Sequence, residues 1–273
     1  MRRAVFATSL LLLASCGYAA AQGALAFEVA SIKRAVSPDV PSGIRPIGPG
    51  GQFHAVMTVH DLVRVAYGAP LALLDSQVVA GPAWANADRF EISAKIAGQP
   101  TDFSNGPPAH LLDMIRTLLA DRFRLRTRRE TRPTPVYDLV LDKGRTRGPR
   151  LRPADGTCVS IPSSPSEARS FCGFTRVVRG QISARGMTLD ILAGGLAPLA
   201  EVERVVRNRT GLSEKFDLDL EYTPGLGTPG DPATDSKPTL FTAIREQLGL
   251  RLQPATGPVE VIAIDRVQRP VED

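Results

Sequence analysis

Apolar residues recur at helical spacing behind two threonines. After Thr58 they fall at Val59, Leu62, Val63 and Ala66 and stop near Gly68; after Thr188 they fall at Leu189, Leu192, Ala193 and Leu196. Each threonine hydroxyl can accept a hydrogen bond from a free N–H of the first turn, so both positions read as helix starts. Gly194 and Gly195 weaken the second helix by about 1 kcal/mol each relative to alanine and predict a shorter or distorted element. Leu111, Leu112, Ile115, Leu118, Leu119 and Phe123 mark another amphipathic helix, and Leu240, Phe241, Ile244 and Leu248 mark a fourth. Strict alternation, the period of a half-buried strand, runs through Phe90, Ile92 and Ala94 and again through Phe216, Leu218, Leu220 and Tyr222. After each of the later helices the pattern predicts a hairpin-like pair: Arg122 to Arg128 with Val136 to Leu141, and Leu250 to Gln253 with Val259 to Ile264. Pro133, Pro135, Pro254 and Pro258 stand at the expected turn edges.

These elements come in the same order twice. Gly51-Gln52-Phe53-His54-Ala55 with Met57-Thr58 is echoed by Gly180-Gln181-Ile182-Ser183-Ala184 with Met187-Thr188. Val78-Val79 leads to Arg89-Phe90-Glu91-Ile92 as Val205-Val206 leads to Lys215-Phe216-Asp217-Leu218. Pro135-Val136 through Leu141 is matched by Pro258-Val259 through Ile264. Collinear blocks of this kind predict two copies of one unit. The expected fold is α+β, with two pseudo-repeated units, each an antiparallel or mixed sheet with helices on one face in the order strand-helix-strand-strand-helix-strand-strand. The units are expected at 22–143 and 173–273, joined by a linker at 144–172, with a Pro/Gly/Asp-rich excursion at 226–237 inside the second.

The first 21 residues are set apart. Met1-Arg2-Arg3 is cationic, Ala4 to Leu13 is largely apolar, and Tyr18-Ala19-Ala20-Ala21 is a run dominated by small residues before Gln22, an arrangement that reads as a signal peptide over 1–21. The apolar run is shorter than the roughly 20 residues a spanning helix needs, and no later segment replaces it, so no transmembrane helix is expected in the mature chain. Two processing routes stay open. Cleavage after Ala21 would release a periplasmic or secreted protein, whereas Leu13-Ala14-Ser15-Cys16 has the order of a lipoprotein signal and would anchor the chain through a lipid on Cys16. Export changes the reading of the cysteines. Cys158 and Cys172 are the two that follow the signal, and in an oxidising compartment they are expected to form a disulfide rather than a metal site or a reactive thiol.

Charge narrows the partners. Among 273 residues there are 33 basic and 28 acidic side chains, a net of +5 that falls to about +3 without Arg2 and Arg3. So small a surplus, spread over both halves, argues against a nucleic-acid partner. The strongest local feature is Arg122, Arg124, Arg126, Arg128 and Arg129, read as four arginines at alternate positions of one strand. Such a row either protects an edge strand from self-pairing or engages an envelope protein, a glycan or an anionic lipid headgroup. Trp84, the sole tryptophan, is expected to anchor helix to sheet or to touch a partner.

Catalytic chemistry is harder to find. His54, His60 and His110 are the only histidines and lack metal-site spacing. No nucleophile elbow, phosphate-binding loop or dinucleotide fingerprint stands at a strand-to-helix junction, so no catalytic, metal or cofactor residues are expected. Asp217, Asp219 and Glu221 line one strand face and read as a solvated surface, with cation binding as the alternative.

Several segments carry a family resemblance: Phe27-Glu28-Val29-Ala30-Ser31-Ile32-Lys33, Gly81-Pro82-Ala83-Trp84 with Arg89-Phe90, Leu118-Leu119-Ala120-Asp121-Arg122-Phe123, Arg209-Thr210-Gly211-Leu212, and Val259 to Arg269. Over nearly the whole mature chain the sequence resembles a bacterial family of soil-associated proteins of unknown function, abundant in acidobacterial genomes. The resemblance implies an exported protein and transfers no catalytic residue. The element order is also similar to that of the short N-terminal domains of secretins and outer-membrane signalling receptors, an architectural analogy. The expectation is an exported, non-enzymatic binding module of the cell envelope or periplasm. The alternative is a hydrolase of an envelope or extracellular polymer, with its site between the two units.

Overall fold

The computed structural model describes residues 25–35, 37, 40–45, 51–68, 71–96, 108–142, 147–159, 172–178, 180–225 and 237–271. The expected signal peptide, Cys16 and most of the 226–237 excursion lie outside the described residues. The elements run β1 (Val29–Arg34), β2 (Gly43–Ile44), β3 (Gln52–Thr58), α1 (Val59–Tyr67), a 3₁₀ turn (Asp75–Gln77), β4 (Val78–Ala80), α2 (Trp84–Ala87), β5 (Arg89–Lys95), α3 (Ala109–Arg122) and β6 (Arg126–Leu141). They continue with β7 (Leu151–Pro153), β8 (Gly173–Val178), β9 (Gln181–Met187), α4 (Leu189–Leu196), β10 (Val206–Asn208), β11 (Phe216–Glu221), α5 (Leu240–Leu248) and β12 (Leu250–Arg266). The protein is therefore α+β, with strands predominating.

The helix starts follow the caps. Thr58 Oγ1 accepts from the Asp61 N–H at 3.0 Å, Thr188 Oγ1 from Ile191 at 3.5 Å and Thr239 Oγ1 from Thr242 at 3.4 Å. Gly249 closes α5 in the left-handed region, at φ 67°, where a residue without Cβ is unstrained. Gly194, the weak point of α4, has a packing role: a Cβ there would press against Leu71 Cδ1, so the glycine admits a side chain from the first half of the chain.

Strands form three four-stranded sheets among the described residues. The first sheet has the order β1-β5-β3-β2 and the third β7-β11-β9-β8, both wholly antiparallel. When β1, β2, β3 and β5 are matched to β7, β8, β9 and β11, the two orders coincide. β7 lies in the stretch expected to be a linker, yet Leu151 pairs with Leu218 of β11.

The central sheet corrects the expected hairpins. β6 and β12 are single long strands that pair with each other from Leu141↔Leu250 to Arg126↔Arg266. Prolines do not break them, because Pro133 lies opposite Pro258 and Pro254 opposite Tyr137. Tyr137 directs its N–H away from β12, to Val205 O at 2.9 Å. Positions of the same parity, Pro133 and Pro135, thus lack a donor only on the side where β12 needs none. β10 then adds parallel to β6, and β4 adds parallel to β12. The two halves exchange strands: β4, from the first, flanks the long strand of the second, and β10 does the reverse.

Two cores follow from this exchange. One joins the inner face of the first sheet, α1 and α3 to Ile262 and Ile264; the other joins the third sheet, α4 and α5 to Leu139, Leu250 and Leu252. β12 feeds both, from opposite ends. A small third patch of Val136, Val259 and Val261 lies on the other face of the central sheet.

Candidate functional site

The arginine-rich segment does not form the row expected of it. Arg122 ends α3 and donates from Nη1 to Ala30 O at 3.1 Å. Arg124 stands in the connection at φ 51°, leaving Arg126 and Arg128 as the members of the expected row on β6. Arg128 pairs with Glu130 and Asp265, Arg129 with Glu260, and Arg132 with Glu130. The neighbouring Arg132, and then Arg128, hold the Glu130 carboxyl below its ordinary range. The outer edge of β6 has a strand partner only at Tyr137–Leu139 among the described residues. The arginines before Pro133 therefore do stand along an open edge.

What the fold assembles instead is a corner. The C-terminus of α3, the start of β6 and the end of β12 meet around a recess of about 320 Å³ lined by Ala120, Arg124, Leu125, Arg126, Arg266 and Gln268. Gln268 N–H ties the corner to Phe123 O at 2.7 Å, and Leu125 N–H reaches back to Leu119 O at 3.1 Å. Arg126 faces Arg266 across the ladder, beside an irregularity between Ile264 and Arg266. Among the described residues no carboxylate forms an ion pair with Arg124, Arg126 or Arg266, although most other arginines have one. Arg266 escaped the sequence reading because its neighbour in space is 140 positions away and no local pattern marks it.

Trp84 occupies α2, half-buried. Its ring meets Phe90 edge-on at a centroid distance of 6.3 Å, and the Arg269 guanidinium lies 4.9 Å above it. Arg269 and Arg34 both donate to Asp88, and these contacts, that of Arg269 foremost, hold the Asp88 carboxyl below its ordinary range. The ring is thus packed between Phe90 and the Arg269 guanidinium.

The histidines stay apart. His54 Nε2 lies 3.0 Å from Glu91 Oε1. His60 is buried under Val78 O at 3.3 Å and lies 3.5 Å from Asp75 Oδ1, while His110 is on the first turn of α3. Among the described residues no three His, Cys, Asp or Glu side chains gather as a metal site. The acidic strand face is solvated at Asp219 and Glu221, as expected, and each acid has an arginine beside it: Asp217, Asp219 and Glu221 pair with Arg185, Arg152 and Arg150 at 3.5, 3.3 and 3.5 Å. Asp217 is buried rather than solvated, and its Oδ1 accepts from Gly186 N–H at 2.9 Å. Cys158 and Cys172 form a disulfide, and Gly186 lies against it so closely that a Cβ would meet Cys158 Sγ.

A second recess, a cleft of about 480 Å³, lies where the halves interlock. Its floor includes Leu74, Gly194 and Val206; Arg116, Arg129, Asp190 and Glu260 are also in its lining. These polar groups already have partners: Arg116 with Asp113 and Ala66 O, Arg129 with Glu260, and Asp190 with Asn208. On the far face of the central sheet Arg207 grips Asp138 with two bonds of 2.8 and 3.0 Å. Its guanidinium lies over Gly257, where a Cβ would overlap it, and the pairing raises the Arg207 pKa above its ordinary value.

The chain belongs to the family described as "Protein of unknown function (DUF3738)", whose model matches residues 60–267. No curated protein and no solved structure matches it. Among the described residues no helix is long and apolar enough to cross a membrane.

Proposed function

For this member of a family without an assigned activity, we propose a non-enzymatic binding module that works outside the cytoplasm. It is periplasmic or secreted, or held to the membrane through Cys16, and it recognises an envelope protein, a glycan or an anionic lipid headgroup. The disulfide and the signal-like first 21 residues support the compartment. The observation that carries the binding role is the corner where Arg126 faces Arg266 beside Arg124. Like charges directly opposite on neighbouring strands destabilise a sheet, so an arrangement kept without an acid is more readily explained by something that binds there. Pull-down from envelope extract with the wild type and with an R124E/R126E variant tests the role. The variant is expected to lose partners while its melting temperature holds; an unchanged set of partners would overturn the reading.

A second reading has one observation in its favour. The cleft between the interlocked halves lies where a hydrolase site was expected, and Asp190 and Glu260 supply carboxylates to it. Turnover of an envelope polymer by the purified protein, in a hydrolase screen with and without chelator, would replace the binding reading with this one.

A further inference from the structure

We infer that the recess lined by Arg124, Arg126 and Arg266 binds a tetrahedral oxyanion, a phosphate or sulfate group carried as an ester, with Gln268 beside it. The inference rests on the binding-module reading for its setting but not for its chemistry.

The ribbon of β6 and β12 supplies its own control. At its other charged positions arginine meets acid: Arg128 meets Asp265, Arg129 meets Glu260 and Arg132 meets Glu130. One step further on, Arg126 meets Arg266, and among the described residues no carboxylate lines the recess they share. The third member, Arg124, takes the left-handed conformation, φ 51°, that closes α3, where Leu125 N–H returns to Leu119 O, and this turn brings it to the rim of the recess. The dipole of α3 favours one cation near its C-terminus, but Arg122 in its last turn already supplies one. It gives no reason for an arginine at the far end of β12.

Size and chemistry agree. A recess of about 320 Å³ suits a small headgroup rather than a polymer segment. Guanidinium forks match the oxygens of phosphate and sulfate in pairs, and three of them favour a group of more than one negative charge over a carboxylate. Leu125 is the buried member of the lining, and the three arginines around it are exposed and reachable by a ligand from solution.

The test uses the purified protein at low ionic strength, titrated with inorganic phosphate, inorganic sulfate and acetate by calorimetry and by thermal melts. Phosphate or sulfate should raise the melting temperature above the acetate control, as any ligand selective for the folded state does. R126Q and R266Q should each weaken binding about tenfold, the loss expected for one charged hydrogen-bonding partner. R128Q removes a guanidinium already taken by Glu130 and Asp265 and should bind as the wild type does. Flotation with phosphatidylglycerol against phosphatidylcholine vesicles separates the sources. Capture that R266Q abolishes assigns a lipid headgroup; phosphate binding without capture assigns a soluble or polymer-borne ester. Stabilisation no greater than with acetate, together with no vesicle capture, would overturn the site. Phosphate binding in a protein whose R124E/R126E variant keeps every envelope partner would leave the site standing and remove the envelope reading alone.

Discussion

The first and third sheets have matching strand order and are held by different means. Around the first sheet the packing is aromatic: Phe27 stacks on Phe53 at 5.2 Å, Phe90 meets Phe123 edge-on at 5.1 Å, and Trp84 closes the edge under Arg269. Around the third the buried face is largely aliphatic, a disulfide fastens Cys158 to Cys172 beside Gly186, and three arginines cover the acidic strand β11. The contrast teaches that strand order constrains which positions are buried, not the chemistry that fills them. Strands β4 and β10, each paired with the long strand of the other half, then bind the two solutions together.

The sharpest way to break this comparison is to remove its matched aromatic positions. Phe90, second in β5, and Phe216, first in β11, belong to strands that hold the same place in the two strand orders, and both are almost wholly buried. Replacing either by alanine is expected to cost about 3–5 kcal/mol in denaturant unfolding. Because the halves exchange strands, Trp84 fluorescence and far-UV circular dichroism should report one shared transition in both variants. Separate transitions would mean that the interlock does not couple the sheets.

Next in size is the disulfide, whose cysteines are 14 positions apart. A C158S/C172S variant should lose about 3 kcal/mol. Hydrogen exchange should rise first in β8 and β9 and leave β3 and β5 protected; the reverse order would place the staple's effect in the wrong sheet.

A smaller effect belongs to the first sheet and depends on pH. Arg269, then Arg34, lowers the Asp88 pKa in the folded state. The stabilisation is therefore complete above the unfolded value of about 3.9 and is lost as pH falls through the lower folded value. An acid titration followed by Trp84 fluorescence should show this step, because protonation of Asp88 frees the Arg269 guanidinium that covers the ring. D88N should lack it, and an identical titration in D88N would discard the assignment. Smallest of all, R152Q removes an exposed partner of Asp219 and should change unfolding by no more than about 0.5 kcal/mol. A larger loss would show that the arginine cover of β11 acts as a unit.

Much of the local structure was legible before any coordinates. Thr58 and Thr188 announced α1 and α4, the alternation at Phe90–Ala94 and Phe216–Tyr222 announced β5 and β11, and the cysteines announced their pairing. These signals act within a few residues, through capping hydrogen bonds, period and redox setting, and nothing distant needs to be known. The site was less legible. The arginine segment stands out for its charge, but whether each guanidinium is spoken for depends on acids brought up by strand register: Asp265 for Arg128, Glu260 for Arg129 and, among the described residues, none for Arg126. The same holds for Asp217, whose burial beside Arg185 of β9 depends on the pairing of β11 with β9.

Taken alone, the sequence determined where α1, α3, α4 and α5 run, which of their faces are apolar and which two cysteines join, because each follows from contacts between near neighbours along the chain. Only the tertiary structure decided that β6 and β12 run unbroken past their prolines, that the halves trade β4 and β10, and that Arg266 arrives opposite Arg126. Pairings across more than a hundred residues are chosen by the burial of whole faces at once, and that choice leaves no mark at either partner.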